Sequence, residues 1–202
     1  MANEGYVKYS AEHTTAPPIE TPLWTELNEA RSRLYRLGLV GSLPNGVGFG
    51  NLSIRLQGDE FLISGTGTGV LPVLGPEKYC LVKSFDLEQN CVVSIGPVQA
   101  SSESMTHGAV YRSCRMVHCV IHIHSRAIFD GMVRDNYPAT PENATYGTPE
   151  IALAIGNCVR ELGGDEGTIV LLGHDEGVVA YGPSLEKAVA LVQELYGKYM
   201  GK

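Results

Sequence analysis

The sequence predicts an α/β chain, and three observations carry that prediction. Amphipathic helices are spelled out near both ends, with apolar residues three and four apart. Residues 40–95 instead break into short β-rich runs punctuated by glycine and proline, the pattern of an antiparallel sheet. A third stretch, Val117-His118-Cys119-Val120-Ile121-His122-Ile123-His124-Ser125, has the length and β-branched content of a buried strand.

In order, residues 1–20 read as a polar N-terminal arm, mobile or loosely docked, with Pro17-Pro18 near its end. Residues 21–202 read as a single domain, since 202 residues suffice for one large core. Thr21-Pro22 opens a helix with a capping hydroxyl and a first-turn proline; its stripe is Leu23, Leu27, Ala30, Leu34 and Leu37, and Gly38 stops it. Strands follow at 52–56, 60–64, 79–83 and 91–95. Ser101 or Ser102 caps a helix over 104–113. Thr148-Pro149 starts another helix, with Ile151, Ile155, Val159 and Leu162 on its buried face and Gly163-Gly164 at its end. A strand at 168–172, an irregular turn and an extended run at 178–181 lead to a last helix capped by Ser184.

Composition narrows the function. A net charge of -7 argues against nucleic acid or an anionic membrane as main partner, because phosphate backbones are held by Lys and Arg. A small phosphate is still allowed, since backbone amides and hydroxyls hold one without net positive charge. The five cysteines are scattered and contain no C-x-x-C, so they read as reduced thiols of a cytoplasmic protein. No apolar run approaches the roughly 20 residues of a membrane span, and the polar start does not look like a signal peptide.

On the histidine strand, residues two apart share a face, so His122 and His124 project together while Ile121 and Ile123 point the other way. His118 shares their face but lies roughly 13 Å back from His122. Paired neutral imidazoles on an apolar strand are natural zinc ligands. Further ligands have to come from elsewhere, and His174 and Glu176 stand ready in the turn Gly173-His174-Asp175-Glu176-Gly177. Glu103, at the start of the 104–113 helix, is either a first-turn acid favoured by the dipole or a carboxylate brought to the metal. Two glycine-bearing stretches, Gly48-Phe49-Gly50-Asn51-Leu52-Ser53 and Ser64-Gly65-Thr66-Gly67-Thr68-Gly69, offer the bare amides and small hydroxyls that an anion needs.

Gly50-Asn51-Leu52-Ser53, Ile63-Ser64-Gly65-Thr66-Gly67, Ser101-Ser102-Glu103, His122-Ile123-His124 and the run from Gly177 to Ala188 occur in an order that resembles the class II aldolase and adducin-head family. The resemblance covers residues 24–199, and the 19 positions from Glu103 to His122 agree with the family's spacing. It implies an α/β fold with a central, mainly antiparallel sheet flanked by helices. Zn2+ or another divalent ion and a homotetramer are implied as well. His122, His124 and a later histidine would hold the metal, Glu103 would be the acid/base, and Gly50, Asn51, Thr66, Gly67, Ser101 and Ser102 would receive a substrate phosphate. Where the family has histidine directly before glycine, this chain has Glu176 before Gly177, with His174 two positions earlier; either residue can complete the site. The loop from Phe129 to Tyr146 is short beside the sugar-phosphate aldolases, whose proton-donating tyrosine has only Tyr137 and Tyr146 as stand-ins here.

The expected activity is a metal-dependent, aldolase-type lyase acting on a small phosphorylated ketose or related hydroxy-carbonyl compound through a metal-stabilised enediolate. A dehydratase, epimerase or decarboxylase of the same family is the alternative chemistry. An adducin-like interaction module is the alternative class, and the presence of His122, His124 and Glu103 counts against it.

Overall fold

The computed structural model describes residues 6–201. A first strand, β1 (Ser10–Thr15), precedes helix α1 (Leu23–Arg36), and then come β2 (Gly41–Ser42), β3 (Gly48–Phe49), β4 (Asn51–Arg55) and β5 (Phe61–Ser64). Next are β6 (Tyr79–Asp86), β7 (Cys91–Gly96), α2 (Ser104–Ser113), β8 (Cys119–His124), α3 (Arg126–Arg134) and β9 (Ala139–Thr140). The chain closes with α4 (Pro149–Leu162), β10 (Gly167–Leu171), β11 (Gly177–Gly182) and α5 (Leu185–Tyr199).

Nine strands make one sheet in the order β1-β7-β6-β5-β4-β8-β11-β10-β9. Pairing is antiparallel except where β1 meets β7 and β9 meets β10. The histidine strand β8 is held antiparallel by β4 and β11, and all six of its residues are buried. Alternation sorts its side chains between two cores. Ile121 and Ile123 join Leu27 and Leu34 of α1 and Val192 of α5. Val120 joins Tyr111 of α2 and Ile155 of α4 on the other face. The α/β architecture with helices on both faces of a mainly antiparallel sheet is therefore as expected.

Four local readings change, one of them the cap of α2, where Glu103 rather than Ser101 or Ser102 takes the capping position and no side chain caps the helix. Part of the arm is docked rather than loose, because Ser10–Thr15 pairs along β7 and the Tyr9 ring is buried; residues 1–5 lie outside the described residues. Helix α3 occupies what read as loop, started by Ser125, whose hydroxyl accepts from the Ile128 amide at 3.4 Å. Thr148 does not cap α4: its hydroxyl donates back to the Thr145 carbonyl at 2.8 Å. By contrast Ser184 caps α5, accepting from the Lys187 amide at 3.2 Å.

Beneath the sheet, His107 of α2 is fully buried and its Nδ1 lies 2.6 Å from Ser53 Oγ, which in turn lies 2.7 Å from the Tyr111 hydroxyl. Burial pushes His107 down to about 3, so it is neutral in the fold. A histidine in the unfolded chain titrates near about 6.5. Between those values the unfolded chain binds a proton that the folded chain refuses, so stability falls as pH drops from about 6.5 toward 3. In metal-stripped protein, His107→Asn should flatten that decline by up to about 1.4 kcal/mol per pH unit. Urea titrations across the window measure it, and an unchanged slope would mean that His107 does not resist protonation.

Candidate metal centre and its surroundings

The centre begins with strand register. His122 sits opposite Asn51 on one side and Val179 on the other, while His124 sits opposite Gly177. Both imidazoles emerge on one face of β8, and the turn between β10 and β11 brings His174 against them. The three ring centroids form a triangle with sides of 4.8, 4.9 and 4.7 Å. One ligand atom from each lies within 4.8 Å of the others, and all three residues are buried.

Two glycines make this crowding possible. Gly50 has φ +74°, and a Cβ there would meet Val40 Cγ2 at 2.9 Å and the His122 carbonyl at 3.1 Å. A Cβ at Gly177 would lie 2.8 Å from the His174 carbonyl and 3.2 Å from ring carbons of both His122 and His174. The glycine of the resemblance is therefore the space into which two imidazoles fit.

The donor set suits a divalent ion. His122 Nδ1 is 3.2 Å from the Val178 carbonyl, which can only accept, so Nδ1 carries the proton and Nε2 keeps its lone pair. His122 Nε2 and His124 Nε2 face each other at 3.0 Å, which requires a proton or a cation between them. Tetrahedral zinc with Zn–N of about 2.0–2.1 Å sets ligand nitrogens about 3.3–3.4 Å apart, close to that spacing. Burial first, then the neighbouring imidazoles, holds His122 and His124 well below the usual histidine value, so both are neutral and fit to ligate.

Glu103 arrives from the start of α2. Its carboxylate is 3% exposed, lines the same pocket and has Oε1 3.7 Å from His174 Nδ1. Ser101 builds the turn that presents it: its hydroxyl accepts from the Glu103 amide at 3.3 Å, and its carbonyl accepts from the Ser104 amide at 3.0 Å. Glu176 is not brought to the cluster. Its side chain is 36% exposed, its backbone has φ +62°, and its carboxylate lies 3.3 Å from Arg126 Nε. Two residues of a tight turn do not share a face as they would on a strand, which separates Glu176 from His174.

The metal pocket, about 220 Å³, shares Gly48, Gly50, Asn51 and Ser102 with a neighbouring cavity of about 300 Å³. That second cavity is lined by all six residues Gly50, Asn51, Thr66, Gly67, Ser101 and Ser102. One side chain missed by sequence reasoning supports the second cavity. Arg31, 1% exposed, donates to the carbonyls of Thr68 at 3.0 Å and Leu71 at 2.8 Å and so fixes the glycine-rich loop. Its signal was available: a charged residue amid the stripe Leu27, Ala30 and Leu34. Tyr146 lines the metal pocket with its ring 4.6 Å from that of His174, whereas Tyr137 packs with Lys198 away from it.

A family model described as the class II aldolase and adducin N-terminal domain matches residues 25–196. The chain belongs to the class II aldolase and adducin family. With the three-histidine cluster, that membership marks it as a metal-dependent, aldolase-like lyase. Three solved structures share the fold. YgbL from Klebsiella pneumoniae, described as a putative aldolase/epimerase/decarboxylase, is 21% identical over 85% of this chain and 83% of its own, with a TM-score of 0.63. L-Fuculose-1-phosphate aldolase from Thermus thermophilus is 24% identical over 88% and 91%, with a TM-score of 0.60. A sugar-phosphate aldolase from Thermotoga maritima is 18% identical over 84% and 88%, with a TM-score of 0.57. No curated protein is significantly similar to the chain in sequence. Among the described residues no helix is long and apolar enough to cross a membrane.

If the three histidines hold the ion, the class II aldolase-family chain purified with its metal should carry about one divalent ion per chain. Elemental analysis should show it lost in His122→Ala and kept in Glu176→Gln. Gly177→Ala should fold but bind the ion about 10- to 100-fold more weakly, because the added methyl displaces both imidazoles. Loss of metal from Glu176→Gln with retention in His174→Ala would reverse the assignment of the third ligand.

Proposed function

We propose that this protein is an aldolase-type lyase that breaks or forms the carbon–carbon bond beside the carbonyl of a small phosphorylated ketose or related hydroxy-carbonyl compound. The observation that carries this reading is the contact between the two pockets, which lets one short substrate reach both at once. In this reading His122, His124 and His174 hold the ion, zinc being the one best matched to three neutral imidazoles. When bound, it acts as a Lewis acid toward the negative charge left when the bond beside a carbonyl breaks.

The rest falls to the chain. Glu103 is the acid/base, trading a proton with the substrate carbon that gains or loses the bond. The hydroxyls of Thr66, Ser101 and Ser102 and the backbone of Gly50 and Gly67 receive the phosphate. The N-terminus of α2 adds its dipole, and no lysine or arginine lines that cavity among the described residues. Asn51 Oδ1 is buried without a hydrogen-bond partner among the described residues, an acceptor that a substrate hydroxyl would satisfy. Tyr146 is the one tyrosine in the pocket lining among the described residues, and its hydroxyl donates to the Tyr6 carbonyl at 3.3 Å. The five cysteines without disulfide partners suit a reducing cytoplasm, and a four-fold homo-oligomer is the assembly to seek by sedimentation.

Screening phosphorylated ketoses for aldehyde release tests the reading, with product analysis separating cleavage from dehydration, epimerisation or decarboxylation. Glu103→Gln should keep the metal while lowering kcat about 10²- to 10⁴-fold. Ser102→Ala should weaken phosphorylated substrates while leaving unphosphorylated analogues nearly unaffected. Equal turnover of both substrate types by the wild-type protein would remove the phosphate from the assignment, and a metal-free, inactive protein would favour an interaction module.

A further inference from the structure

The segment ahead of α1 lies outside residues 25–196, the part that matches the family, yet it touches both walls of the site. Tyr9 is 6% exposed, and its hydroxyl lies 3.0 Å from the carbonyl oxygens of both Ala100 and Ser101. Those carbonyls lead directly into Ser102-Glu103. The Ser101 carbonyl is also the acceptor around which the turn is wound, since the Ser104 amide and the Ser104 hydroxyl donate to it at 3.0 and 2.6 Å. Burial pushes the Tyr9 phenol well above its usual value, so it keeps its proton and remains a donor.

The neighbouring residues reach the opposite wall. Lys8 Nζ donates to the Tyr146 carbonyl at 2.8 Å and stands 4.7 Å from the centre of the Tyr146 ring. The Tyr146 hydroxyl donates to the Tyr6 carbonyl at 3.3 Å. From Ser10 onward β1 is locked to β7, which fixes where this segment can lie. Burying an aromatic ring accounts for the place of Tyr9 in the core, but not for a hydroxyl aimed at the two carbonyls that carry the acid-bearing turn.

We propose that Tyr9 is a positioning residue for Ser101, Ser102 and Glu103, and that residues 6–9 brace the active-site wall from behind. The segment thus lies outside the part that matches the family and joins the acid-bearing turn to the Tyr146 wall. The rate readout of this proposal rests on the lyase reading; its structural readout does not.

The test compares zinc-loaded wild type with Tyr9→Phe, which keeps the ring and removes only the donor, and with Lys8→Met, which keeps the stem and removes the ammonium. Zinc content and thermal midpoint should stay close to wild type in both. In Tyr9→Phe, amide hydrogen exchange at residues 101–104 should quicken about tenfold while α5 is unchanged. On a reactive phosphorylated ketose its kcat should fall about tenfold or more with a much smaller change in KM, because a misplaced acid costs rate rather than binding. Lys8→Met should leave residues 101–104 protected and raise KM instead. Wild-type exchange at 101–104 in Tyr9→Phe overturns the proposal, and so does quickened exchange with wild-type kcat, which would reduce the contact to packing. If the wild type cleaves no ketose, the lyase reading fails on its own. Affinity for inorganic phosphate then replaces kcat: weakening in Tyr9→Phe supports the positioning role, and no weakening overturns it.

Discussion

Three imidazoles confined within 4.8 Å of one another in a buried part of the sheet are the constraint from which the rest of the structure follows. Burial, and after it the neighbouring imidazoles, keeps His122 and His124 neutral. His122 Nε2 and His124 Nε2 approach to 3.0 Å, so a proton or a cation lies between them. What holds the rings there is the hydrogen-bonded ladder of β4, β8 and β11, which fixes two of them through backbone alone. Glycine at 177 then clears the volume that a side chain would take from the rings, and glycine at 50 lets the backbone pass close to the His122 carbonyl. The cluster is thus built at the expense of local packing, the trade expected of a functional site rather than of a core.

The same ladder ties the metal pocket to its neighbour. Because Asn51 of β4 pairs with His122 of β8, the strand beside the histidine strand presents the buried amide shared by the two cavities. The glycine-rich loop after β5 is fixed from outside the sheet, by Arg31 reaching from α1 to two of its carbonyls. A buried guanidinium bound only to backbone oxygens is costly to place, and it stabilises the fold only if the loop stays where it is. The shape of the cavity and the integrity of the α1 packing are therefore set by one residue.

Much of this was legible in the residues. The His-x-His pair declared itself through strand periodicity, and helix α2 was predicted over Ser104–Ser113, the bounds observed. The strands β4 to β7 were placed to within one residue at their starts. Helix α3 escaped because it is only nine residues long, with Gly131 lowering its intrinsic propensity inside a stretch already read as loop. Strand β1 escaped because an edge strand with exposed polar side chains has no alternating apolar signature. The choice between His174 and Glu176 was not decidable from spacing. It depended on Glu176 adopting φ +62°, a local conformation that no periodicity encodes.

Rigid and adjustable parts of the site are divided by element type. His122 and His124, two of the three candidate ligands, sit in the middle of the sheet, where register leaves them no freedom. Glu103 ahead of α2, His174 between β10 and β11 and Tyr146 ahead of α4 come instead from turns and helix starts. Those turns are secured by contacts from distant parts of the chain. Arg126 holds Asp175 at 2.5 Å beside His174, and Lys8 and Tyr9 reach the other two. A loop positioned by few bonds is easily displaced, and a displacement of even 1 Å is enough to change a rate by about 100-fold. Specificity within such a fold therefore has room to change through the segments that brace the turns while the histidine strand stays as it is.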